Sequence, residues 1–348
     1  DAESTALHEP IPLDLVLCDA SKGGCGLLQL RHTVSPETLY RQYWYRSGVN
    51  QTMTQELHGI ARVAESIVPP NTSDIVVDIG ANDGTLLRAY SSPEITRIGF
   101  EPAKNLISYA EKGTSKIFND FFSAHLFSKE FGSQKAKIIT AIAMFYDLDD
   151  PNPFVRDVQS ILHPEGLFII QMSYLPAMLK QNAFDNIVHE HLEYYSLLSL
   201  EHLLKRHDLE VFDVEENDVN GGSFRIYIGH AKTILGSVRP GAQERVEAMR
   251  EKEEEMGLSG GKAYEDFAKR VSEITDHIKK FIDSEVASGK KVYAYGASTK
   301  GNTLLQFCCL DHRLIGAAAE RNPIKWGKKT VATLIPIIPE EEARAQNP

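Results

Sequence analysis

Three short strings in this chain carry side chains able to do chemistry. His189-Glu190-His191-Leu192-Glu193-Tyr194-Tyr195-Ser196 is the densest cluster of ionisable groups. Histidine titrates nearest to neutrality, so His189 and His191, with Glu190 between them, form a candidate proton-transfer set. Glu190 could orient an imidazole or accept a hydrogen bond from a sugar hydroxyl. The string is not a zinc-protease motif, because H-E-x-x-H would need histidine where Glu193 stands. A loop with two surface histidines satisfied by their neighbours explains the composition equally well. Asn220-Gly221-Gly222-Ser223-Phe224-Arg225 is the second string. Paired glycines before a strand fit a bulge or the close approach of another chain or a ligand, and Arg225 could reach a phosphate or carboxylate. A plain hairpin turn is the alternative. The third string runs from Tyr295 through Lys300 and Asn302 to Thr303. Placed between a strand and a helix, its amides could cradle an anion. It is not a P-loop, since Gly301 is followed by Asn302 and Lys300 precedes the glycine. An ordinary strand-to-helix turn with an exposed lysine is the competing reading.

A fourth string points to a cofactor. Asp78-Ile79-Gly80-Ala81-Asn82-Asp83-Gly84 follows a buried-type strand and precedes Leu86-Leu87. Its glycines permit a tight turn and close backbone approach, and the helix start after it offers amides to a ligand carboxylate. Glu101 lies 101 − 80 = 21 residues beyond Gly80, at the end of the next strand and beside Pro102. An acid there can accept hydrogen bonds from both ribose hydroxyls. A dinucleotide site would need G-x-G-x-x-G, and Asn82 stands where that pattern wants glycine. D-x-G-x-x-x-G with a later acid instead resembles the class I S-adenosylmethionine methyltransferases. An ordinary glycine-rich turn is the bland alternative. Asn119-Asp120-Phe121-Phe122 is a candidate lining for the adenine, although a polar loop beside two core phenylalanines explains it as well.

These strings need elements to position them. Apolar runs at 75–80, 98–102, 137–144 and 166–171 alternate with helical stretches, which predicts a mainly parallel α/β sheet. Residues 223–228 alternate with period two and predict an added antiparallel strand. A helix is expected over 55–68, closed by Pro69-Pro70, and a helical connector over 239–257 and 262–287. Residues 291–296 and 314–319 then open a second, smaller α/β module. Cys308 and Cys309 read as core residues on a helix. The expected division is an N-terminal module over 1–54, a cofactor domain over 55–232, and a connector with a C-terminal Rossmann-like domain over 233–348.

Composition narrows the function. The 348 residues are 42% hydrophobic and 24% charged, as in ordinary globular chains. Lys plus Arg less Asp plus Glu is 37 − 48 = −11, and no basic run is visible, so nucleic acid and anionic membranes are poor partners. The longest apolar stretches, such as 138–145, are too short to span a bilayer. No basic region precedes an apolar core at the N-terminus, and four cysteines make no disulfide framework, so a cytoplasmic location is expected. The start at Asp1-Ala2-Glu3 reads as a truncated or processed form. Oligomeric state is left open.

Taken together, the strings resemble the three-part sugar C-methyltransferases of deoxysugar pathways. Further matching stretches are 12–18, 25–30, 43–50, 321–327 and 335–337, so the resemblance covers nearly the whole chain in order. It implies α/β architecture: a class I methyltransferase Rossmann-like domain, a small zinc-binding N-terminal module and a second C-terminal α/β domain. It implies S-adenosylmethionine as cofactor and a nucleotide-linked 4-keto-6-deoxy sugar as the small-molecule substrate, methylated on the carbon next to the ketone. A base removes the alpha proton while donors hold the enolate oxygen, and the carbanion takes the sulfonium methyl. The resemblance places the base at His191 with Glu190 beside it, sugar positioning at Tyr43 or Tyr45, and the diphosphate at Lys300 and Asn302. Zinc would fall to Cys18 and Cys25, with the family's other cysteine pair upstream of Asp1. A structural site wants four ligands, and His8 and His32 are poorly spaced for it. This chain departs from the family at Val188, where tyrosine is common, at Asn220, where histidine is expected, and at Val331-Ala332-Thr333. An O- or N-methyltransferase of a related small molecule or nucleotide sugar is the alternative.

Overall fold

The structure is a computed structural model and describes residues 11–233 and 239–348. In chain order the strands are β1 (Leu15–Leu17), β2 (Leu28–Leu30), β3 (Ile75–Ile79), β4 (Thr96–Phe100), β5 (Lys116–Phe118), β6 (Ala136–Ile142), β7 (Leu162–Ser173), β8 (Glu193–Tyr194), β9 (Leu209–Asn217), β10 (Ser223–His230), β11 (Tyr293–Tyr295), β12 (Ala317–Glu320) and β13 (Ile337–Pro339). They form two compact units, each built from separate stretches of chain. One comprises residues 15–177 and 192–260; the other comprises 178–191 and 261–348 with the described residues before Leu15.

The larger unit holds a seven-stranded sheet in the order β5-β4-β3-β6-β7-β10-β9. Neighbouring strands from β5 through β7 are parallel, and β10 runs antiparallel to both β7 and β9. β3 is buried at all five residues, as a strand covered on both faces must be. Alternation then sends Ile75, Val77 and Ile79 to one apolar cluster and Val76 to the other. The helix Gln51–Ile67 covers the Val76 face with Leu57, Ile60, Ala61, Ala64 and Ile67. It starts four residues before the expected position, because the Asn50 side chain accepts from the Met53 amide (3.2 Å) and caps it. The chain leaves β3 toward β4 on one side and returns to β6 on the other. The crevice beyond the carboxyl ends of β3 and β6 is therefore a switch point, where open α/β sheets take ligands.

β4 packs close beneath the glycine turn. A Cβ on Gly99 would come within 2.7 Å of Ile117 Cδ1 and 2.9 Å of Ala81 Cβ. Gly99→Ala should cost about 1–3 kcal/mol, the usual price of overpacking a filled core. An unchanged urea midpoint would show that the sheet yields there.

Some expectations change. Gly221 and Gly222 lie in the connection between β9 and β10, so the plain hairpin turn is what this string forms. The bulge lies elsewhere, between Tyr227 and Ile228. Cys308 is buried at the C-terminus of the helix Thr299–Phe307, but Cys309 is exposed with φ 53°, past the helix end, and is not a core residue. β8, drawn from the histidine string, is the edge of a small sheet ordered β1-β2-β8. In the smaller unit β11, β12 and β13 pair in parallel, and Leu305, Cys308, Ile315 and Ile337 are buried with them. Among the described residues no helix is long and apolar enough to cross a membrane.

Candidate active site

In the larger unit the residues expected to meet a cofactor gather at the switch point. Gly80 (φ 73°) and Gly84 (φ 77°) take left-handed conformations that favour glycine. At Gly84 an added Cβ would also meet the Ala110 carbonyl at 2.9 Å. Asp78 is buried below the turn and accepts a 2.6 Å bond from the Thr140 hydroxyl on β6. Burial, with the nearby Glu101 carboxylate, pushes Asp78 up to about 7, against that hydrogen bond. Glu101 is buried at the end of β4. Its two oxygens accept from the Asn82 amide and the Ala103 amide, both at 2.7 Å. Burial raises it to about 7, while these two amides pull the other way. Each carboxylate oxygen keeps a further lone pair, so Glu101 can still receive ribose hydroxyls. Asp83 accepts from the Thr85 hydroxyl (2.6 Å) and from the Thr85 amide (3.3 Å). That amide of the short helix Thr85–Ala89 is thus spent on Asp83 rather than left open to a ligand carboxylate.

The loop after β5 divides its aromatics. Phe122 packs edge-on against Phe100 and Phe154 and belongs to the core. Phe121 lies instead under the Arg41 guanidinium, 4.7 Å from its carbon, and Asp120 accepts from Arg41 at 3.1 Å and from the Phe121 amide at 2.9 Å. Asn119 donates to the carbonyls of Glu101 and Pro102, at 2.9 and 3.2 Å, and ties this loop to the end of β4. Glycine conformations at the turn, a buried acid with spare acceptors and an acidic-aromatic loop beside it fit S-adenosylmethionine. Arg41 and Thr140 escaped the sequence reading, because their relation to the site is set by packing between distant segments.

Arg225 is also in this unit but is fully engaged. It is buried and donates to Gln171 Oε1 (2.8 Å) and Glu56 Oε1 (2.5 Å), with Glu215 at 3.4 Å. Such a network leaves no guanidinium face for a phosphate. Asn220 is exposed in its turn with φ 56°. Tyr43 is half-buried and Tyr45 is 42% exposed. Burial and the neighbouring Asp83 raise the Tyr45 phenol, so it stays a hydroxyl donor at neutral pH.

Cys18 and Cys25 meet in the turn between β1 and β2, where the Cys25 amide donates to Cys18 Sγ at 3.3 Å. Burial raises the Cys25 thiol. Among the described residues no group of three or more His, Cys, Asp or Glu side chains could hold a metal. His8 lies outside the described residues. Two thiols do not make a four-ligand site, so zinc takes no part in the chemistry derived below.

The histidine string divides between the units, and residues 189–191 belong to the smaller one. His191 Nδ1 lies 3.1 Å from the Asn186 carbonyl. A carbonyl only accepts, so Nδ1 carries the proton and Nε2 carries the basic lone pair. Burial first, then the Lys300 ammonium, push His191 down to about 4, partly offset by the Asn186 carbonyl. The imidazole is therefore neutral at pH 7, as a base must be. Lys300 is itself lowered by burial, with Asp185 partly restoring it. Glu190 is raised by burial. His189 donates from Nε2 to the Ile11 carbonyl (2.9 Å), a structural bond.

Lys300 sits in the first turn of the helix Thr299–Phe307, which packs on residues 184–186 through the Phe184 and Phe307 rings, 5.3 Å apart. Ser298 caps this helix by accepting from Gly301 N (3.0 Å), and Asn302 Oδ1 accepts from the Thr333 hydroxyl at 3.5 Å. Glu320, at the end of β12, accepts from the amides of Ala297 and Asn322, both at 3.0 Å. It holds this turn as Glu101 holds the other. The rule that selected Glu101 would have found it, at 320 − 296 = 24 residues beyond Gly296.

Residues 45–214 match the family described as "Methyltransferase domain", and residues 218–348 match "C-methyltransferase C-terminal domain". Among solved structures, magnesium protoporphyrin IX methyltransferase from Synechocystis, with bound SAH, is 10% identical, with a TM-score of 0.42 over 56% of this chain and 99% of that one. YcgJ from Bacillus subtilis is 17% identical, with a TM-score of 0.38 over 50% of this chain and 97% of that one. C-methyltransferase NovU from Streptomyces niveus is 31% identical over 97% of this chain and 78% of that protein. Joined to the sheet order and the glycine turn, that similarity makes the chain a member of the S-adenosylmethionine-dependent C-methyltransferase family.

Proposed function

We propose that the enzyme methylates the carbon alpha to a ketone on a nucleotide-linked deoxysugar, with His191 as the base. The observation that carries this reading is the Asn186 carbonyl 3.1 Å from His191 Nδ1, which fixes the tautomer and puts the basic lone pair on Nε2, while burial and Lys300 push the imidazole down to about 4. Bound S-adenosylmethionine supplies the electrophilic methyl. Asp78, the turn 80–84, Glu101 and Pro102 would hold its methionine and ribose portions, and Asp120 and Phe121 its adenine. His191 Nε2 takes the alpha proton, and the electron pair of that C–H bond becomes the enolate. Glu190 is raised by burial, which fits it to share a proton with a sugar hydroxyl. Tyr43 and Tyr45 donate to the sugar. Lys300 supplies positive charge for the diphosphate, or for an enolate oxygen near His191, and Asn302 holds its turn. The sequence resemblance across the whole chain supports the sugar acceptor, as does the placing of Lys300 at a capped helix start. Arg225 and Asn220 are left out of the substrate site on the geometry above. The three-part division at 54 and 232 belongs to this reading, and so does a cytoplasmic location.

The test is proton-to-deuterium exchange followed by NMR, with a dTDP-4-keto-6-deoxyglucose-type substrate in heavy water. Enzyme-dependent loss of the alpha proton, then a carbon-bound methyl on addition of S-adenosylmethionine, is the expected result. Methylation without alpha exchange would establish the O- or N-methyl alternative instead.

A further inference from the structure

We infer that Asn82 is a positioning residue that fastens residues 41–49 to the cofactor site, so that cofactor occupancy orders the segment bearing Tyr43 and Tyr45. The inference rests on the S-adenosylmethionine site alone and needs no assumption about the acceptor. Asn82 has φ 51°, a conformation that costs a residue with a Cβ but is free to glycine. Its side chain shows what that strain supports. Oδ1 accepts from the Ser47 amide and Nδ2 donates to the Tyr45 carbonyl, both at 3.0 Å. Its own amide donates to Glu101, the ribose acid. A single residue therefore grips the segment with its side chain and the cofactor acid with its backbone.

The rest of the segment is held in the same way. The Gly48 amide donates to Asp83 Oδ2 (2.9 Å), and the Arg46 guanidinium lies 3.8 Å from the Tyr109 ring centroid. Tyr43 exchanges two bonds with the Asn105 side chain, at 3.0 and 2.8 Å. Arg41 closes on Asp120 and Phe121. The segment thus crosses the loops that follow β3, β4 and β5, which are the loops a bound cofactor would touch. It buries little apolar surface of its own: Trp44 is 74% exposed and Val49 is 70% exposed. A segment held by polar bonds to loops, rather than by a core, is only as ordered as those loops. A ligand that fixes the loops therefore fixes the segment.

The experiment is hydrogen–deuterium exchange of the full chain with and without S-adenosylhomocysteine, read on peptides spanning residues 41–49, beside calorimetric Kd values. In the unaltered protein S-adenosylhomocysteine should slow exchange there at least about tenfold. In Asn82→Gly, with S-adenosylhomocysteine held well above the Kd measured for that variant, the slowing should disappear. Gly48→Ala is the second variant. Its Cβ would meet Asp83 Oδ2 and Thr85 Oγ1 at 2.7 Å, pushing the segment off while residues 78–84 stay unaltered. It should lose the slowing as well, and it decides the matter if Asn82→Gly fails to fold. Absence of slowing in the unaltered protein, or slowing retained in either folded variant, overturns the inference. No sugar is present, so failure of the acceptor assignment leaves this test untouched.

Discussion

Replacing His191 with alanine is expected to slow exchange of the substrate's alpha proton about a thousandfold, within the usual range for loss of a general base. Affinity for S-adenosylhomocysteine should change by no more than a factor of about three, because Glu101, Asn82 and Asp120 keep their bonds. The pH profile makes this more than a loss-of-function test. An ordinary histidine base is half protonated near pH 6.5 and loses activity below it. His191 is held down to about 4, so it stays neutral and active well below that point. Exchange by the unaltered enzyme should therefore be flat from pH 8 to about 5 and fall only below it. Lys300→Ala removes one of the two forces that lower His191, so its acid limb should move up toward 6.5. That shift separates an electrostatic role for Lys300 near the imidazole from simple loss of diphosphate affinity, which would raise KM at every pH. An acid limb at 6.5 in the unaltered enzyme would mean that burial and Lys300 do not hold His191 down, and a limb that persists unchanged in His191→Ala would mean that His191 is not the base.

The second large effect is at Glu101. Glu101→Ala removes the acceptor proposed for two ribose hydroxyls, and the anchor of the Asn82 and Ala103 amides. Bonds to a charged acceptor are worth about 1.5–3 kcal/mol each, so the Kd for S-adenosylhomocysteine should rise a hundredfold or more. The unaltered site also predicts the sign of a pH effect. Free Glu101 is raised to about 7 by burial. Ribose hydroxyls donate to its ionised form and favour it, so binding releases a proton. Affinity should then increase as pH rises from 6 to 8, and calorimetry in buffers of different ionisation enthalpy should show the released proton. Glu101→Gln should bind weakly with the pH slope removed, whereas a slope that survives in Glu101→Gln would reassign the proton to Asp78, which is also raised to about 7. The same shifts act on stability without cofactor. A carboxyl raised on folding contributes stability that is full below its unfolded pKa, near 4, and is lost as pH rises through its folded value. For Glu101 and Asp78 that window runs from about 4 to about 7.

Much of the catalytic scaffold was legible in the residues alone. Local patterning is enough to mark a strand such as Ile75–Ile79, because a strand buried on both faces must be apolar throughout. The left-handed turns at Gly80 and Gly84 and the position of Glu101 beside the turn were legible for the same kind of reason: turn conformation and an acid one crossover later are local requirements. The short strands β5, β8 and β13 carry too few residues for periodicity to register, and they exist because neighbours offer them partners. Tertiary structure alone decided what Arg225 does, since the glutamates that neutralise it come from positions 56 and 215. It also divided Phe121 from Phe122, two identical side chains facing different surroundings. It set His191 apart from His189 as well. Both belong to one tripeptide, but one imidazole meets a carbonyl five residues back beside a lysine brought in from position 300, and the other meets the carbonyl of residue 11. Residue type determines which chemistry is possible; protonation and availability depend on burial and on partners distant in the chain, which only the folded structure supplies.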